Sequence, residues 1–137
     1  MSNKVSIVLF SGTVDKLMAA AILATGAAAM GKDVSIFLTM WGVMAFRKGD
    51  WKTNIRISKD FEDQAPAMLR SMSEKKVPGW LENFKSAQEI GNVKIVACGM
   101  TMDLFELKLE DLEPVVTDVD GVASFWNQVE DGTALFL

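Results

Sequence analysis

Residues 4–39 constrain this chain more than any other stretch. Lys4-Val-Ser-Ile-Val-Leu-Phe10 is a continuous apolar, β-branched run, the pattern of a strand buried on both faces of a parallel sheet. Ser11-Gly12-Thr13 interrupts it. Residues 14–30 then read as a helix, with Ser11 or Thr13 as its cap, Asp15 in its first turn and Gly31 to end it. That helix is rich in alanine, so it can lie close to a sheet. Asp33-Val-Ser-Ile-Phe-Leu-Thr39 is a second strand of the same kind. Strand, helix and strand in such short order form a βαβ unit, whose crossover is nearly always right-handed.

The rest of the chain continues the alternation. A short helix is expected from Met40 to about Phe46, and helices at 65–74 and 80–90, the latter with Trp80, Leu81, Phe84, Ala87 and Ile90 on one face. Val93-Lys-Ile-Val-Ala-Cys98 is a third strand. Short helical pieces are expected at 101–107 and 108–112, a brief strand at 115–116, a helix at 119–129 and a last strand at 134–137. Val122, Phe125, Trp126 and Val129 are spaced for a core-facing stripe. The expectation is an α/β fold, an open parallel sheet of four to five strands with helices on both faces, in the order 2-1-3-4. Residues 47–60 lose all periodicity. The chain is read as one domain over residues 1–137, with a mobile loop at about 47–62.

Composition narrows the chemistry. The net charge is −4 and the pI about 4.8, so nucleic acid is not an expected partner. Half of the residues are hydrophobic and mean hydropathy is +0.20, which points to apolar surface buried between subunits and hence a homo-oligomer. The apolar run 17–30 is too short to span a bilayer, and a cytoplasmic protein is expected. There is no histidine, no tyrosine and one cysteine, Cys98. Disulfides, cysteine-based zinc sites and Ser-His or Cys-His pairs within one chain are excluded, and neither metal nor cofactor is implied.

In open α/β sheets ligands bind beyond the carboxyl ends of the strands, at the switch point of strand order. The order 2-1-3-4 brings Ser11-Gly12-Thr13, Thr39-Met40-Trp41-Gly42 and Cys98-Gly99-Met100-Thr101 together there. Thr101 is expected to cap a helix just beyond Cys98, whose positive end would favour a thiolate. Position alone leaves two readings open, a working thiol and a buried packing residue. The glycine spacings of the dinucleotide and phosphate-loop motifs are both absent.

The stretch from Val8 to Gly42, the segment Val93–Leu112 with Ala97-Cys98-Gly99-Met100-Thr101-Met102-Asp103, the turn Thr39-Met40-Trp41-Gly42 and the closing Gly121–Val129 and Ala134–Leu137 resemble the DsrE/DsrF/DsrH-like sulfur-relay family, in its stand-alone branch. The resemblance implies a flavodoxin-like fold, assembly into trimers or hexamers, and a cysteine that carries sulfur as a persulfide or thiosulfate as an adduct. It implies transfer to TusA-like or rhodanese-like partners, with small sulfur anions as cargo. Carried over, the cysteine is Cys98, with Ser11, Gly12, Trp41, Gly42, Gly99 and Met100 as substrate-binding residues. Relatives often carry a polar residue after the cysteine, where this chain has Gly99. The competing reading is a non-catalytic oligomeric subunit or ligand-binding module with a structural cysteine.

Overall fold

The computed structural model describes residues 3–137. Its strands are β1 (Lys4–Leu9), β2 (Asp33–Leu38), β3 (Val93–Cys98), β4 (Val116–Asp120) and β5 (Thr133–Phe136). Its helices are α1 (Val14–Ala29), α2 (Trp41–Ala45), α3 (Ala65–Glu74), α4 (Trp80–Ile90), α5 (Gly99–Leu104) and α6 (Val122–Val129). The strands form a single parallel sheet in the order β4-β3-β2-β1-β5. The fold class is the expected one, a flavodoxin-like open α/β sheet with helices on both faces.

The strand order is not the expected 2-1-3-4, because β2 lies between β1 and β3. The reason is the packing of α4. Its buried side chains Trp80, Leu81, Phe84 and Ala87 lie on the same face of the sheet as the alanine face of α1, and the two helices pack together. Right-handed crossovers on one face carry the chain in one direction. Successive crossovers therefore step the chain from β1 to β2 and then to β3. The last connection runs back across the sheet to the far side of β1, and the same handedness then requires α6 on the opposite face. There Phe125 packs against Phe37, with ring centroids 5.6 Å apart.

Three local expectations also shift. The helix expected at 119–129 starts at Val122, because residues up to Asp120 pair with β3 as β4. Of its apolar stripe only Phe125 is buried, and Trp126 stays 65% exposed, because α6 covers its side of the sheet alone. The helical piece expected at 101–107 begins at Gly99 as α5, and the next is a 3-10 turn, Leu109–Asp111.

Residues 47–58 form a strap fastened at both ends. At its start the Lys48 amide donates to the Asp111 carbonyl (2.9 Å) and the Gly49 amide to the Glu113 carboxylate (2.7 Å). At its end the strap supplies the cap that the hydroxyl of Thr13 does not. The Val14 amide, first in α1, donates to the Arg56 carbonyl at 2.7 Å, and Thr13 makes no side-chain cap bond. Asn54 donates through Nδ2 to the Gly12 carbonyl at 3.0 Å. Both the amide and the hydroxyl of Ser58 donate to Asp15.

Burial acts to raise the Asp15 pKa, but the hydroxyl and amide of Ser58 and the amide of Lys16 outweigh it, and the nearby Thr13 hydroxyl adds to them without reaching hydrogen-bond geometry. The net shift is downward. A lowered carboxylate contributes stability that is complete above its unfolded pKa and is lost as pH falls through the folded value. Asp15→Asn is therefore expected to lower stability by about 1.5 kcal/mol at about pH 7, the order of a hydrogen bond to a charged group. Chemical denaturation of both proteins should show that gap shrink as pH falls below the ordinary carboxylate range, as the wild-type carboxylate becomes protonated.

Candidate functional site

The turns after β1, β2 and β3 lie side by side at one edge of the sheet, and the turn after β2 sits between the other two. Its geometry is tight. Met40 has φ 49° and ψ −118°, a conformation that side chains rarely adopt. Such strain costs on the order of 1–3 kcal/mol and persists only where surrounding bonds hold it. The Met40 amide donates to the Thr101 hydroxyl at 3.0 Å, and that hydroxyl lies 3.3 Å from the Thr39 hydroxyl. Gly42 is buried, with its amide directed at the carbonyls of Phe10 (2.9 Å) and Thr39 (3.0 Å). A Cβ on Gly12 would stand 2.6 Å from the Trp41 carbonyl oxygen. These two glycines let the first and second turns press together.

Cys98 ends β3 and is itself the N-cap of α5, in extended conformation (φ −68°, ψ 119°). Thr101 is not the cap, since its hydroxyl is held by Met40 from the neighbouring turn. The thiol is half-buried. Burial acts to raise its pKa. The Thr101 amide and hydroxyl, the Thr39 hydroxyl and the Met100 amide outweigh burial, and the thiol stands below the ordinary cysteine value. Met100 beside it is 81% exposed, while Thr101 is buried. Alanine would fit at position 99, where an added Cβ meets its nearest atom, the Asp120 carbonyl oxygen, at 3.5 Å.

The residues singled out from sequence thus divide. Cys98, Gly99 and Met100 form one group, joined by Thr39 and Thr101. Ser11, Gly12 and Trp41 border a cleft of about 780 Å³ under the strap, and Cys98 is not among its lining residues. Gly42 is packed beneath. In the observed order the switch point falls between β1 and β5, so Cys98 is not at it. Thr39 was named in the sequence only as part of a turn. Its approach to Thr101, which lies 62 residues further on, is made by the pairing of β2 with β3.

The open parallel α/β sheet defines a class of fold that known proteins share. The sequence pattern of the DsrE/DsrF/DrsH-like family matches residues 1–62 and 52–136, two stretches that meet in the strap. The chain belongs to that family. It is 36% identical over 155 residues to uncharacterized protein YrkE of Bacillus subtilis (strain 168), covering 96% of this chain and 94% of that one. It is 25% identical over 149 residues to sulfur carrier protein DsrE2 of Allochromatium vinosum, covering 90% and 91%. Among solved structures it resembles the YchN protein of E. coli, with a TM-score of 0.60, 15% identity and full coverage of both chains. It also resembles MTH1491 of Methanobacterium thermoautotrophicum, a protein of unknown function, with a TM-score of 0.57, 15% identity and 98% coverage of both. Among the described residues no helix is long and apolar enough to cross a membrane. The family suggests a role in sulfur relay.

Proposed function

We propose that this protein is a cytoplasmic sulfur carrier, a sulfurtransferase in the wider sense, that holds sulfane sulfur or thiosulfate covalently on Cys98. The observation that carries the reading is the placement of Cys98 as the N-cap of α5, beside the Thr101 and Thr39 hydroxyls and the Met100 amide, a setting that lowers the pKa of its thiol. These donors are in place before any cargo arrives, and they favour the thiolate that attacks a sulfane donor. Thiol exchange needs a thiolate and a leaving group rather than a strong external base, so the lack of histidine is no obstacle. The same donors face the negative charge of a bound persulfide.

The exposed Met100 leaves an approach for an acceptor protein of TusA-like or rhodanese-like kind. Gly99 and Met100 flank the cargo, and Ser11, Gly12, Trp41 and Gly42 shape the neighbouring turns. Exposed apolar side chains at Val122, Trp126 and Phe136 support association into a trimer or hexamer. The loop at about 47–62, which includes the strap, is the element that would open and close. Membership of the family, and the printed name of one relative, sulfur carrier protein, add to the reading.

Intact mass after exposure to tetrathionate or polysulfide tests it, since the reading requires a reducible adduct that Cys98→Ser lacks. A second measurement addresses the donors. The alkylation rate of Cys98 by iodoacetamide should rise with pH through a midpoint below that of the unfolded chain, because the folded thiol is the stronger acid. Thr101→Val is expected to move the midpoint up and slow alkylation near neutrality. Thr101→Ser, which keeps the hydroxyl, should restore both. A midpoint unchanged by Thr101→Val would remove the assigned role of that hydroxyl.

A further inference from the structure

The cleft under the strap is far larger than an inorganic sulfur anion requires. At about 780 Å³ it falls within the range of sites for small organic ligands, roughly 300–1,000 Å³. Its charge runs against that of the chain. Two arginines and one aspartate line it, on a protein of net charge −4. Arg47 is committed to Asp50 at 2.8 Å, so that pair is neutral. Arg56 is different. Its backbone is held on both sides, the amide donating to Asn54 Oδ1 at 3.1 Å and the carbonyl accepting from Val14 at 2.7 Å. No hydrogen bond or ion pair engages its guanidinium among the described residues, so the backbone is fixed while the charged head is free.

The remaining lining combines the polar Ser11, Thr13, Thr53 and Asn54 with apolar side chains, some of them exposed. Trp41 rests against Phe105, with ring centroids 5.9 Å apart, and stays 50% exposed. Met44 and the exposed Ile55 lie on the same cleft. A half-exposed indole and an unpaired guanidinium on one cleft offer a flat apolar contact and one cationic contact to the same molecule.

From this we infer a second binding site, separate from the thiol, for an organic anion that has a flat apolar body and one carboxylate, sulfonate or phosphate group. The body lies on Trp41 and Met44, and the anionic group meets Arg56. The inference goes beyond the carrier reading and does not depend on it.

The probe is anilinonaphthalene sulfonate, an aromatic monoanion, titrated into the full-length protein by fluorescence and followed residue by residue through amide resonances. The resonances of Ser11, Asn54 and Arg56 should move. Arg56→Gln is expected to weaken binding about tenfold, the order for one lost hydrogen bond to a charged group, with thermal unfolding unchanged. Arg56→Lys should weaken it less. The neutral analogue phenylnaphthylamine should bind wild type and Arg56→Gln alike, and inorganic sulfate should not displace the probe at equal concentration. Cys98→Ser should bind as wild type does, whether or not Cys98 carries sulfur. Equal affinity in wild type and Arg56→Gln would overturn the inference. So would shifts centred on α6 and Trp126, displacement by sulfate, or loss of binding in Cys98→Ser.

Discussion

Exposed to tetrathionate in the absence of reductant, the wild-type chain is expected to gain the mass of one –S–SO3 group, and only at Cys98. The thiolate attacks an inner sulfur of tetrathionate. A bond forms between the cysteine sulfur and that sulfane sulfur, the central sulfur–sulfur bond breaks, and thiosulfate leaves with its electron pair. With an inorganic polysulfide the same attack leaves one sulfur atom on the cysteine as a persulfide and releases the shortened polysulfide. Both adducts are disulfide-like, so excess dithiothreitol should return the original mass. Cys98→Ser should take up nothing, because Cys98 is the only cysteine in the sequence. The effect is all-or-none, since no other thiol is available as a substitute. The rate of uptake should fall as pH drops through the lowered pKa of Cys98, because the thiolate is the attacking species. If wild type gains no mass, or gains no more than Cys98→Ser does, the carrier reading fails.

The second large effect concerns the fold of the site rather than its chemistry. Gly42→Ala is expected to destabilise the protein by about 3 kcal/mol, the upper end of the usual cost of overpacking a tight interior. A Cβ there would run into the backbone carbonyl oxygen of Leu9, which has no soft side-chain end to move aside. Relief would require β1 and the turn after β2 to separate, at the expense of the Gly42 bonds to the Phe10 and Thr39 carbonyls. A melting temperature lower by about 10 °C is the expected readout for a chain of this size. Gly26→Ala is the internal contrast. Gly26 lies within α1, and an added methyl meets nothing within 4 Å. That substitution should stabilise by about 0.5–1 kcal/mol through helix propensity alone. Similar melting temperatures for the two variants would contradict the packing described for the turns.

Much of the architecture can be read along the chain because it rests on local pattern. β1, β2 and β3 appear as apolar β-branched runs, since a strand covered on both faces needs apolar residues at every position. α1 and α4 lie where periodicity and glycine stops put them. Cys98 stands out for a plain reason, as a lone sulfur at the end of a buried run. Residues 116–120 were harder. Val116-Thr-Asp-Val-Asp120 alternates at an edge of the sheet, with Lys94 and Asp118 paired at 3.5 Å, and so lacks the continuous apolar signature. Thr13 stands at the N-cap of α1 as its residue type suggests, but its hydroxyl makes no cap bond, and the first amide of the helix, that of Val14, is instead satisfied by the Arg56 carbonyl from the strap.

The sequence by itself determined the class of fold, the parallel sheet, the main helices and the identity of the one thiol, because these depend on periodicities of two and 3.6 residues and on composition. Only the tertiary structure decided the strand order, since nothing local says that α4 will pack on the small-residue face of α1. That choice placed β2 between β1 and β3. With it, the Thr39 and Thr101 hydroxyls came together beside Cys98, and Trp41 and Arg56 came to line one cleft. Contacts between residues so far apart in the chain carry no local signal, because they exist only once the helices have chosen their faces.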